Sequence, residues 1–209
     1  MAPSADGENN IQTNKGKKVK SNRTTKIMAA CGFACILSLA ANAQIGSGWT
    51  SVSESFKVQT SGSGKVSGNT FSISSTSSST KDRAEREYAT WSSGQHQFQG
   101  DFTCVSFGGT DICIKQTFQK NDGPWQMLAV NKGNTFNPGG GSFTIGKSTR
   151  INTILDCSKH TVALYINGKL IETYTGGKNP IYDKCGTYRE DAGKAPITAT
   201  WTNVKFWQK

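Results

Sequence analysis

The chain has no Cys-x-x-Cys pair, no stretch with a 3.6-residue apolar period, no internal repeat and only two histidines. Without Cys-x-x-Cys spacing, a structural zinc site lacks its usual ligand framework. Neither His96 nor His160 stands at metal-ligand spacing, and no cluster of carboxylates suggests calcium, so neither metal nor cofactor is expected. The missing helical period argues against bundles and α/β folds. Acidic residues are scarce: 14 Asp+Glu face 24 Lys+Arg, a net charge of +10. An excess of positive charge favours anionic partners, whether nucleic acid, anionic lipid or an acidic glycan.

Residues 1–26 contain no apolar run and carry Lys15, Lys17, Lys18, Lys20, Arg23 and Lys26. An apolar run from Ile27 to Ala40 follows, then Ala41-Asn42-Ala43. A basic region, a short apolar region and a small-x-small end are the parts of a secretory signal, with cleavage expected after Ala43. The competing reading is a retained membrane anchor, because a run of about 17 residues sits at the lower limit for crossing a bilayer. The expected organisation is therefore a leader over 1–43 and one domain over 44–209, a length that supports one sizeable core. Removing the leader takes six of the basic and two of the acidic residues, leaving 18 against 12. Export argues against nucleic acid and favours an acidic polysaccharide as partner of a secreted, extracellular monomer.

Four cysteines remain after the leader: Cys104, Cys113, Cys157 and Cys185. An even count in an exported domain suggests disulfides. Gly108-Gly109 lies midway between Cys104 and Cys113, as the turn of a two-residue hairpin does. That places the two cysteines opposite each other on paired strands, within bonding reach. Cys157–Cys185 is the remaining pair.

The rest of the domain reads as short strands. Phe56-Lys57-Val58 and Thr70–Ile73 alternate, and further candidates cover 83–90, 96–107, 110–119, 125–131, 142–146, 150–155 and 197–206. Val162–Tyr174 is a hairpin on Asn167-Gly168. So many strands with short turns imply an all-β sandwich, jelly roll or barrel. Trp91, Trp125, Trp201 and Trp207 are expected mostly in its core.

Three segments place polar groups on one strand face among apolar neighbours. In Arg83-Ala84-Glu85-Arg86-Glu87-Tyr88, alternation groups Arg83, Glu85 and Glu87 and sends Arg86 to the other side. In Lys115-Gln116-Thr117-Phe118, Gln116 shares a face with Phe118. In Tyr182-Asp183-Lys184-Cys185-Gly186-Thr187-Tyr188, the residues Tyr182, Lys184 and Tyr188 are in line. Arg-x-Glu, Gln-x-aromatic and Tyr-x-Lys-x-Gly-x-Tyr, in this order, resemble the signature segments of family 7 polysaccharide lyases, the alginate lyases. The ending Thr200–Phe206 resembles the last strand of fungal relatives.

The resemblance covers residues 83–206 and implies a β-jelly-roll sandwich of the concanavalin A-like kind, with a concave groove for an anionic polyuronate. By it, Arg83 corresponds to the catalytic arginine, Gln116 to the carboxylate-binding glutamine and Tyr188 to the catalytic tyrosine; Glu85 and Lys184 are supporting groove residues. Two positions depart from the pattern. Phe118 stands where the family commonly has His, and Glu87 where it commonly has Arg; Arg86 replaces that arginine only if a bulge shifts the register.

The chemistry follows from the residue types. A uronate C5 proton is poorly acidic while its carboxylate is charged, so Arg83 and Gln116 would neutralise that group and the enolate-like charge that develops. Tyr188, ionised beside Lys184 and Arg83, would take the proton and return one to the leaving oxygen. Lys115, Tyr182, Phe118 and His96 complete the expected substrate contacts. The alternative is an inactive, lectin-like binding module, because fold alone does not fix activity. A glycoside hydrolase built on Glu85 and Glu87 is disfavoured, since neighbours on one strand project side by side and do not flank a bond.

Overall fold

Period-two alternation is carried through almost the whole domain, and it yields fourteen strands and no helix among the described residues. The computed structural model describes residues 45–76, 81–139 and 141–209. The leader, Cys31, Cys35 and the expected cleavage point lie outside the described residues.

Eight strands form one sheet: β1 (Thr50–Val52), β3 (Gly64–Ser67), β4 (Thr70–Ile73), β6 (Gln95–Phe107), β10 (Ser148–Asp156), β11 (Thr161–Ile166), β12 (Lys169–Thr175) and β14 (Ile197–Gln208). They run β12-β11-β10-β6-β14-β4-β3, with β1 also paired to β14. The other six are β2 (Phe56–Ser61), β5 (Arg83–Trp91), β7 (Thr110–Gln119), β8 (Gly123–Asn131), β9 (Thr135–Asn137) and β13 (Ile181–Lys194). Their order is β2-β5-β13-β7-β8-β9. The two antiparallel sheets make a jelly-roll sandwich.

The inner faces enclose Phe71, Ile73, Phe98, Phe102, Ile112, Leu128, Ile151 and Trp201, all buried. Removing each such side chain from water contributes about 1.5–3 kcal/mol. Trp91, Trp201 and Trp207 are buried as expected, whereas Trp125 is half-buried. At the β11–β12 turn both Asn167 and Gly168 have positive φ (51° and 79°), the requirement of a type I′ hairpin. Residues 142–146 form no strand; only Ser142 makes an isolated bridge, to Thr135.

Neither expected disulfide, Cys104–Cys113 or Cys157–Cys185, forms: the Cys104, Cys157 and Cys185 thiols are free. The reason lies at Gly108-Gly109, which joins two sheets and not two paired strands. The Gly108 amide donates to Pro196 O (3.0 Å) across the neighbouring β13–β14 turn. Cys104 therefore lies inside the sandwich opposite Ala199, while Cys113 sits on β7 in the other sheet, opposite Tyr188. Cys185, beside the Tyr88 hydroxyl at 3.5 Å, is fully buried. Burial pushes the Cys104 thiol up to about 11 and the Cys185 thiol up to about 12, so both stay protonated.

Candidate functional site on the outer face of the six-stranded sheet

Three adjacent strands, β5, β13 and β7, carry the three polar segments. On β5 the side chains of Ala84 and Tyr88 join the core, so alternation turns Arg83, Glu85 and Glu87 outward. On β13 Cys185 points inward, which turns Tyr182, Lys184 and Tyr188 outward. On β7 the Lys115 ammonium lies 4.7 Å over the Phe98 ring inside the sandwich, and Gln116 and Phe118 take the outer side.

Strand register arranges these residues in rows. Tyr188 stands between Arg83 and Cys113, Gly186 opposite Glu85, Lys184 between Glu87 and Gln116, and Tyr182 between Thr90 and Phe118. Strand β2 extends the rows, with Gln59 opposite Glu85. Gly186 is required here. Its φ is +150°, and a Cβ would stand 2.2 Å from Ala84 O.

One contact network joins the rows. The Arg83 guanidinium lies 4.8 Å from the centroid of the Tyr188 ring, and its Nε is 3.0 Å from Glu85 Oε2. Gln59 Oε1 accepts from Lys184 Nζ (2.9 Å) and from Arg83 Nη1 (3.5 Å), while Gln59 Nε2 donates to Glu87 Oε2 (2.7 Å). Lys184 Nζ also sits 3.7 Å from Glu87 Oε2. Phe118 and Tyr182 stack at 5.2 Å, and the Lys184 ammonium lies 4.7 Å over the Phe118 ring. Although they point away from the core, Glu85, Gln116 and Lys184 are only 2–3 % exposed. The cluster is recessed.

Burial sets the protonation of this cluster. The Glu85 carboxyl is raised from 4.5 to about 7, chiefly by desolvation; Lys184 and Arg83 oppose the rise and Glu87 adds to it. Lys184 is lowered, again mainly by burial. Tyr182 is pushed up to about 12 by burial and by Glu87. Near neutral pH Glu85 therefore holds its proton part of the time, and the two cations then outweigh the Glu87 carboxylate. Such a recess attracts an anion.

Of the residues expected from sequence, Arg83, Glu85, Lys184 and Tyr188 meet in this network, flanked by Tyr182 and Phe118. Gln116 shares the face but lies beside Lys184, about 10 Å along β7 from the Tyr188 row. Arg83 and Gln116 thus occupy different rows.

Two expected contacts fall elsewhere. Lys115 is fully buried on the opposite side of β7, paired with Asp183. Alternation counted from Gln116 and Phe118, which face outward, already sends Lys115 to the inner side, where it meets Asp183. His96 belongs to β6 in the other sheet, where its ring stacks on Trp91 at 4.6 Å and Nε2 is 2.7 Å from Ser93 O. Arg86 does not replace the missing arginine. It lies 4.3 Å over Phe56 and donates to Gly68 O (2.7 Å), on the other side of β5. Gln59 was not anticipated. Its segment alternates, but nothing in a Ser- and Gly-rich stretch marks that one amide.

No family model matches the sequence, and no curated protein matches it. The fold does have relatives among solved structures. The alginate lyase AlgAT5 of polysaccharide lyase family 7 superposes with a TM-score of 0.53 at 17 % identity, over 68 % of this chain and 79 % of that one. An alginate lyase from Corynebacterium sp. gives 0.54 at 12 % identity, over 70 % and 81 %. A sialidase gives 0.52 at 13 % identity, over 72 % of this chain but only 16 % of its own. The chain shares the sandwich of the family 7 alginate lyases, and at these identities the likeness is one of fold.

Proposed function

We propose that this chain, built on the fold of the family 7 alginate lyases, is a polysaccharide lyase that cleaves an acidic polyuronate by β-elimination. The observation that carries the reading is the Arg83 guanidinium set 4.8 Å from the Tyr188 ring within a recessed cationic network. Arg83 holds the carboxylate of the reacting uronate and stabilises the enolate-like charge as C5 is deprotonated. Tyr188 Oη is the base that takes the C5 proton. The C5–H electron pair becomes the C4=C5 double bond and the C4–O bond breaks. The same phenol then returns its proton to the leaving oxygen, so Tyr188 ends the cycle as it began.

The row arrangement refines the roles. Gln116 and Lys184 are suited to the carboxylate of a neighbouring sugar, and the stacked Phe118 and Tyr182 give a flat wall against a sugar face. Phe118 cannot accept a proton, so Tyr188 acts alone as acid and base. Glu85, when protonated, spares the bound uronate a second adjacent negative charge.

The test is the ultraviolet absorbance of the unsaturated product during incubation with polymannuronate, polyguluronate and glucuronan. Elimination raises the absorbance; binding and hydrolysis do not. The absence of a histidine at position 118 favours a second reading, a binding module. Measurable affinity for these polymers with no absorbance gain on any of them would establish that reading and sink the lyase.

A further inference from the structure

Beneath the candidate site, on the inner side of the same strands, lies a charged cluster in the core. Lys115 and Asp183 are 0 % and 2 % exposed, and Lys115 Nζ is 2.5 Å from Asp183 Oδ1. The ammonium also donates to Gln116 O (3.1 Å) and to Thr117 Oγ1 (3.3 Å), and the Thr117 hydroxyl donates to Asp183 Oδ1 (2.8 Å). A buried ion pair seldom adds stability over apolar side chains of the same size, because desolvating both charges offsets their attraction. Fixing one arrangement among several of similar energy is the best-attested use of such a pair.

The surrounding ladder leaves that need open. The β13–β5 pairing shifts between Tyr182 and Lys184, directly at Asp183. The β7–β8 pairing shifts on both sides of the 115–117 stretch, between Cys113 and Lys115 and between Thr117 and Phe118. The β13–β7 pairing shifts again beyond Cys185. A slip of one residue would turn every side chain over and is strongly penalised. A slip of two towards the end of β7 keeps both faces and would bring Phe118 opposite Lys184 in place of Gln116. Backbone hydrogen bonds do not discriminate against it.

We propose that the Lys115–Thr117–Asp183 cluster is a register pin that holds Gln116 opposite Lys184, and so sets the spacing between the Gln116–Lys184 row and the Arg83–Tyr188 row. These are positioning residues: none touches substrate, and each acts through its chain neighbours. The inference rests on the polyuronate reading for the identity of the ligand, but not for the pin itself.

The test compares Lys115→Met, Asp183→Leu and the double variant with the wild type. Each single change leaves one charge buried alone and lowers the melting temperature. The double change restores the melting temperature towards that of the wild type. With the pin gone, the KM for oligouronate rises about tenfold with kcat changed much less. Amide exchange also quickens across 115–118 and 182–185 relative to the remaining strands. A double variant that recovers its melting temperature together with wild-type KM and wild-type exchange overturns the proposal, since a purely structural pair predicts that result.

Thr117→Val supplies a milder check that keeps both charges and removes only the linking hydroxyl. It should move both readouts in the same direction by a smaller factor, and no movement in either overturns the pin. Should the wild type eliminate nothing, the lyase reading fails while amide exchange still decides the pin.

Discussion

Replacing Glu85 by glutamine should make the protein more stable above neutral pH and leave it nearly unchanged in acid. Glu85 is 2 % exposed, and burial raises its carboxyl from 4.5 to about 7 even after Lys184 and Arg83 have favoured the charged form. The folded chain therefore holds this proton more firmly than the unfolded chain. Folding stability falls as pH rises from about 4.5 to about 7 and changes no further above that, because a carboxyl with a raised folded pKa loses stability on ionising. Raising a carboxyl from 4.5 to about 7 is worth about 3 kcal/mol, or roughly 6–12 °C in melting temperature for a domain of this size. Glutamine resembles the protonated acid in shape and never ionises. Urea denaturation of wild type and Glu85→Gln, from about pH 4 to about pH 8.5, isolates the effect because other titrations cancel in the difference. The variant should gain on the wild type through that window and hold its lead above pH 7. A difference independent of pH, or one favouring the wild type at high pH, refutes the argument from burial.

Three further outcomes follow from the same geometry. Tyr188→Phe should abolish elimination while sparing affinity for oligouronates, whereas Arg83→Ala should weaken both, as steady-state rates and calorimetric titration will show. Gly186→Ala should destabilise the fold by about 3 kcal/mol or more, because its Cβ meets Ala84 O at a φ of +150°; thermal melting measures it. A thiol reductant should leave the melting temperature unchanged, because the Cys104, Cys157 and Cys185 thiols are free, whereas breaking a native disulfide would cost about 2–5 kcal/mol.

Much of the sandwich was legible because half-buried strands write their period into the sequence. The span 110–119 and the Asn167-Gly168 hairpin match the observed elements. What the sequence could not show was pairing between distant strands. Gly108-Gly109 has the symmetry of a hairpin turn, yet it turns a corner between sheets and takes Cys113 away from Cys104. Lys115 was misplaced because its charge was weighed above its phase: alternation from Gln116 and Phe118 already sends it inward, where Asp183 pairs with it. The position of Gln116 relative to Arg83 depends on register across three strands, and Gln59 enters the network only because β2 lies beside β5. Outward faces on single strands were readable; rows across strands were not.

The most direct measurement is a crystal structure of the Tyr188→Phe variant with a uronate oligosaccharide bound. One sugar carboxylate should lie within hydrogen-bonding distance of Arg83, with that sugar's C5 hydrogen facing position 188, and a second carboxylate should rest between Gln116 and Lys184. An oligosaccharide bound away from the outer face of β5, β13 and β7, or lying on it with its carboxylates turned to solvent, would contradict the account.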